Sequence, residues 1–65
     1  MTVIVNQKLI ENKMQWLRNN TNFYLKKFWF NKNNEIFNLY ESKRTGYKIQ
    51  IVFDPNTSEA VRMIL

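Results

Sequence analysis

"FYLKKFWF", Phe23 to Phe30, packs five of the chain's ten aromatic residues into eight positions and sets two lysines at its centre. Side chains of a strand alternate between the faces of its sheet. On that alternation Leu25 and Trp29 fall on one face, and Tyr24, Phe28 and Phe30 on the other beside Lys26. Both faces are then apolar. Two more segments continue the pattern. "NKNN" (Asn31 to Asn34) is turn chemistry, and "EIFNLYES" follows from Glu35 to Ser42. "KRTG" (Lys43 to Gly46) holds the only glycine, and "YKIQIVFD" then alternates Tyr47, Ile49, Ile51 and Phe53 against Lys48, Gln50, Val52 and Asp54.

Pairing Asn31 with Asn34 sets Trp29 against Ile36, Phe28 against Phe37 and Leu25 against Tyr40. Pairing Ser42 with Tyr47 sets Tyr40 against Ile49 and Ile36 against Phe53. One face then carries Leu25, Trp29, Ile36, Tyr40, Tyr47, Ile49, Ile51 and Phe53, and reads as the core. The second carries Tyr24, Lys26, Phe28, Phe30, Phe37, Leu39, Lys48, Gln50 and Val52. This register also drops Lys27 opposite Asn38 on the core face. Either the lysine pair marks a β-bulge that shifts the phase, or Lys27 lies near an open edge.

Outside this meander, "TVIV" (Thr2 to Val5) is β-branched and strand-like. Asn6 is placed to cap a helix from Gln7 to Asn19. Leu9, Ile10, Met14 and Leu17 share one helical face, with Trp16 on its flank. In the closing "DPNTSEAVRMIL", Pro55 ends the strand. Asn56 or Thr57 then caps a short helix with Ala60, Val61, Ile64 and Leu65 on one face. The expected fold is a single α+β domain over residues 1–65: a three-stranded antiparallel meander with a long N-terminal and a short C-terminal helix, in the order (β)αβββα.

From Gln7 to Leu65 this order resembles, in topology, the double-stranded-RNA-binding domain, and with it the HicA type of toxin and the arm-binding domains of phage integrases. The resemblance implies a fold, and no function is carried over from it. The start of the last helix, where that domain carries a basic cluster, reads Ser58, Glu59, Ala60, Val61, Arg62 here. The histidine on which HicA toxins depend is absent, so that activity is not implied.

Composition narrows function by exclusion. With neither cysteine nor histidine, disulfides, thiol nucleophiles, imidazole acid–base catalysis and ordinary zinc sites are ruled out. A single glycine rules out a phosphate-binding glycine loop. The five carboxylates are scattered. A non-enzyme is expected, with no cofactor, no metal and no small-molecule substrate. Apolar runs of only a few residues exclude a membrane-spanning helix. The opening "MTVIVNQ" lacks a basic start and a cleavage site, and Thr2 does not support myristoylation. Absence of cysteine fits a reducing compartment, so a cytoplasmic location is expected. Ten asparagines, with abundant lysine and isoleucine, suggest an A/T-rich coding sequence, which fits phages, archaeal viruses and low-GC bacteria alike; a phage, viral or mobile-element origin is among the expectations.

Two functions remain. A 65-residue chain has little core and usually needs a staple. With both sheet faces apolar, the expected staple is association: a homo-oligomer, or a module docked on a larger protein. The alternative is nucleic-acid binding, since the formal charge of +5 favours anionic partners. Aromatic rings would stack on bases while lysines follow the phosphates of DNA or RNA. The candidate surface for either partner is Tyr24, Lys26, Phe28, Phe30, Lys32, Phe37, Lys43, Arg44 and Lys48.

Overall fold

A computed structural model describes all residues, Met1 to Leu65. One helix packs against one five-stranded sheet. The elements run β1 (Val3–Ile4), α1 (Gln7–Arg18), β2 (Phe23–Phe30), β3 (Ile36–Ser42), β4 (Lys48–Phe53) and β5 (Ala60–Ile64). The sheet order is β1-β5-β4-β3-β2, and every neighbouring pair is antiparallel. The expected three-stranded, two-helix fold is therefore corrected: the last segment is a strand, and β1 joins the same sheet beside it. With no second helix, the topological likeness to the double-stranded-RNA-binding domain does not hold.

The helix forms as its sequence dictates. The Asn6 side chain accepts from the Leu9 N–H at 3.1 Å, and Asn19 closes the other end. Ile10, Met14 and Leu17 recur at helical spacing. Ile10 and Leu17 are buried with Ile49, Ile51, Ala60 and Met63 in one cluster. The helix thus lies over β4 and β5, and the Gln7 side-chain amide donates to the Ala60 carbonyl at 3.3 Å. It is only 12 residues long and does not reach across the far half of the sheet. No helix is long and apolar enough to cross a membrane.

The closing segment becomes a strand for identifiable reasons. Asp54 organises the turn before it, its carboxylate accepting from the N–H groups of Asn56 and Thr57 at 2.7 and 3.2 Å. Ser58 takes a φ of 62°, and Asp54 N–H donates to the Glu59 carbonyl at 2.9 Å. That leaves too few residues for a self-supporting helix. As a strand the same residues bond to β4 on one side and β1 on the other, and Leu65 N–H donates to Thr2 at 2.8 Å. The helix-like spacing has its own cause. Arg62 pairs with Val52 and Ala60 with Phe53, so Val61 is a bulge residue. Ala60 and Met63, three apart, therefore both face α1.

A second bulge decides the face of each residue in β2. Tyr40 pairs with Leu25, but Leu39 pairs with Lys27, leaving Lys26 as the extra residue. The β2–β3 loop is also one residue longer than the asparagine pattern suggests. Asn31 N–H donates to the carbonyl of Glu35, at 3.1 Å, and the Asn31 side chain accepts from the N–H groups of Asn33 and Glu35. The two one-residue changes cancel at Leu25. Between them, Trp29 pairs with Phe37 and Phe28 with Asn38. Trp29 thus leaves the expected core face, while Phe28 and Phe30 turn to the helix side. The β3–β4 register is as expected, from Tyr40 with Ile49 to Ile36 with Phe53.

Candidate interaction surfaces on the two sheet faces

The face turned away from α1 is built in rows across the sheet. Trp29, Phe37, Val52 and Arg62 are successive cross-strand partners on β2, β3, β4 and β5. Trp29 and Phe37 stack with centroids 5.3 Å apart and an interplanar angle of 16°. The Arg62 guanidinium lies 5.6 Å from the Phe37 ring centre, and the Lys27 ammonium 5.2 Å from that of Trp29. A second row is Lys27, Leu39, Gln50 and Ile64. Val52 has no exposure and Leu39 only 6%, although no helix covers them. The aromatic and cationic side chains around them form their roof.

Carboxylates occupy most of the cations on this face. Lys26 meets Glu41 at 2.9 Å and Lys48 meets it at 3.6 Å. Arg62 makes a two-pronged contact with Glu35, at 3.1 and 3.2 Å. The hydrogen bond from Arg62, with another from Asn31, holds the Glu35 carboxyl below its ordinary range. The Lys26 hydrogen bond does the same to Glu41, and Glu41 in turn raises the Lys26 ammonium above the ordinary lysine range. Lys27 alone among the four cations has no carboxylate partner.

The helix side shows the opposite. Beyond the reach of α1, β2 presents Leu25, Phe28 and Phe30 at 46%, 62% and 60% exposure. Ile36 and Phe53, in the row of Phe30, are partly buried. The strip continues into an open groove of about 370 Å³ between the end of α1 and β2, lined by Met14, Leu17, Phe23, Leu25 and Tyr40 among others. Strand β2 is also an edge of the sheet, with eight residues against two for the opposite edge, β1.

The nine residues singled out from the sequence therefore divide among four places. Tyr24, Lys26, Phe37 and Lys48 share the outer face. Phe28 and Phe30 lie on the helix side, which corrects their assignment beside Lys26; the Lys26 bulge is the reason. Lys32 sits in the β2–β3 loop, and Lys43 and Arg44 in the β3–β4 turn. The seven residues of β3 separate those turns, roughly 20 Å. The nine do not form one surface. The sequence reading missed Lys27, Trp29 and Arg62 on the outer face, the acids Glu35 and Glu41 that neutralise it, and Leu25 in the exposed strip. Of the two explanations the sequence allowed for Lys27, the β-bulge at the lysine pair is the one observed. No group of three or more His, Cys, Asp or Glu residues comes together. No protein-family model, characterised protein or solved structure matches this chain.

Proposed function

We propose that this chain is a small non-catalytic interaction module, and that it offers a protein partner the edge strand β2 with its Leu25–Phe28–Phe30 strip. The observation that carries this reading is the uncovered strip itself: three large apolar side chains in a row on the one long open edge of the sheet. An exposed apolar patch on an unpaired strand supports strand addition, in which main-chain bonds give affinity and alternate side chains give specificity. Phe28→Asp tests it. The variant keeps its circular dichroism and loses association with its protein partner. Association undiminished by the charge would remove the reading.

A second reading rests on the outer face, where Tyr24, Trp29 and Phe37 lie among Lys26, Lys27, Lys48 and Arg62. It proposes that the face binds single-stranded nucleic acid. Two features weigh against it. Phe37 is flanked from β2 by Trp29 and from β5 by Arg62, so its ring has little free area for a base. Three of the four cations are engaged by Glu35 and Glu41. Titration with a mixed oligonucleotide pool separates the readings. Nucleic-acid binding would weaken steeply with salt and fall on Lys27→Glu, whereas Phe28→Asp would leave it unchanged.

A further inference from the structure

We infer that the occupant of the β2 edge is a second copy of this chain, paired antiparallel about a two-fold axis through Trp29. The inference rests on the reading of β2 as a protein-interaction strand and adds the identity and register of the partner. Asn31 N–H points into the sheet, to Glu35. By the two-residue alternation of an antiparallel ladder, Trp29 and Lys27 also turn their main-chain groups inward. Those of Phe28 and Phe30 face the open edge.

With Trp29 on the axis, Phe28 of each copy meets Phe30 of the other, and four main-chain bonds close across the seam. Both pairs of rings lie on the helix side, so the four phenylalanines form one cluster. The helices lie over β4 and β5 and do not obstruct it. The segment 27–31 needed for this pairing contains no bulge; the irregularity ends at Lys27. A two-fold interface must be self-complementary, and this register is so in shape. Lys27 falls opposite Asn31, not opposite another lysine. Lys26, which falls toward Lys32, already carries Glu41 at 2.9 Å.

The area fits a modest dimer. Phe28 and Phe30 are 62% and 60% exposed. Together they leave on the order of 250 Å² per chain, about a third of the 800 Å² that a standard interface takes from each partner. Edge main chain and lysine stems add to this. The bulge and paired lysines at Lys26 and Lys27 are devices that discourage strand addition. They guard the N-terminal half of β2, leaving Phe28 to Phe30 as the half that pairs.

Because the chain has no cysteine, single engineered thiols report the register cleanly. Trp29 would face its own symmetry mate as a non-hydrogen-bonded pair, with Cα atoms about 4.5 Å apart, within disulfide reach. Oxidised Trp29→Cys should give a covalent dimer. Lys27→Cys alone should not, but mixed with Asn31→Cys it should give the cross-linked heterodimer, a route that keeps the Trp29 stack intact. Phe28→Asp should weaken dimerisation by about 100-fold or more. A wild-type chain that stays monomeric at every concentration overturns the two-fold pairing and leaves β2 open to a different protein. A dimer lacking the 27–31 cross-link overturns the register. A dimer unaffected by Phe28→Asp overturns both the pairing and the reading of β2 beneath it.

Discussion

Val52 has no accessible surface on a sheet face that carries no helix. Its cover is a layer of side chains, with Trp29 stacked on Phe37 and Arg62 reaching over from β5. On the other face Met63 is equally buried while Phe28 keeps 62% of its surface in water. Hydrophobicity alone would rank Phe28 as the core residue; position reverses that order. Met63→Ala should cost about 2–5 kcal/mol in urea unfolding through lost contacts and a cavity. Phe28→Ala should cost less than about 1 kcal/mol. At concentrations too low for association, a loss at Phe28 as large as that at Met63 would mean that the strip is covered within the monomer. The acids give a pH signature. Glu35 and Glu41 have depressed carboxyls in the folded chain. Their contribution is complete above the ordinary glutamate range and is lost as the pH falls through and below it. Lys26 is raised, so its share is complete below the ordinary lysine range and fades as the pH rises past it. Thermal melts at stepped pH should show both limbs, and Glu35→Gln should flatten the acid one.

At the scale of elements, turns and bulges set what each strand presents. Ser58 holds a φ of 62° in the β4–β5 turn. A left-handed residue with a side chain is strained there, so Ser58→Gly should gain up to about 1 kcal/mol after the entropy of the freer unfolded chain is subtracted. Gly46, at φ 77° with open space around it, is the converse. Gly46→Ala should lose about 1 kcal/mol through backbone strain alone. Urea midpoints check both. The helix was legible because Asn6, the apolar spacing and Asn19 all agree, and the β3–β4 hairpin because its alternation is unbroken. The two failures share one cause. Lys26 and Val61 each insert a single residue, and a single residue reverses every side chain beyond it. In β2 this exchanged Trp29 for Phe28. In β5 it set Ala60 and Met63 three apart, the spacing of a helix. The lysine pair hinted at the first bulge, while the one at Val61 leaves no mark in the sequence; each exists because the paired strand fixes the register from outside.

For the whole molecule, nine buried residues support a 65-residue fold, and such small domains are commonly completed by association. One twelve-residue helix covers only part of a five-stranded sheet. The uncovered part ends in the long edge β2, with Phe28 and Phe30 beside it. Of the candidate surface, the acidic neutralisation of the outer face was hidden in the sequence, since Glu35 and Glu41 lie far along the chain from Arg62 and Lys26 and meet them only through the sheet. Charge also separates the functional readings. Two copies at +5 repel, so added salt should strengthen a dimer held by apolar contacts, while the same salt weakens binding to nucleic acid. The deciding measurement is sedimentation velocity of the wild-type chain and Phe28→Asp over a range of concentrations, at low and at high salt. The expected result is a concentration-dependent dimer that tightens with salt and is lost in the variant. A wild-type monomer at every concentration and salt, indistinguishable from Phe28→Asp, would contradict it.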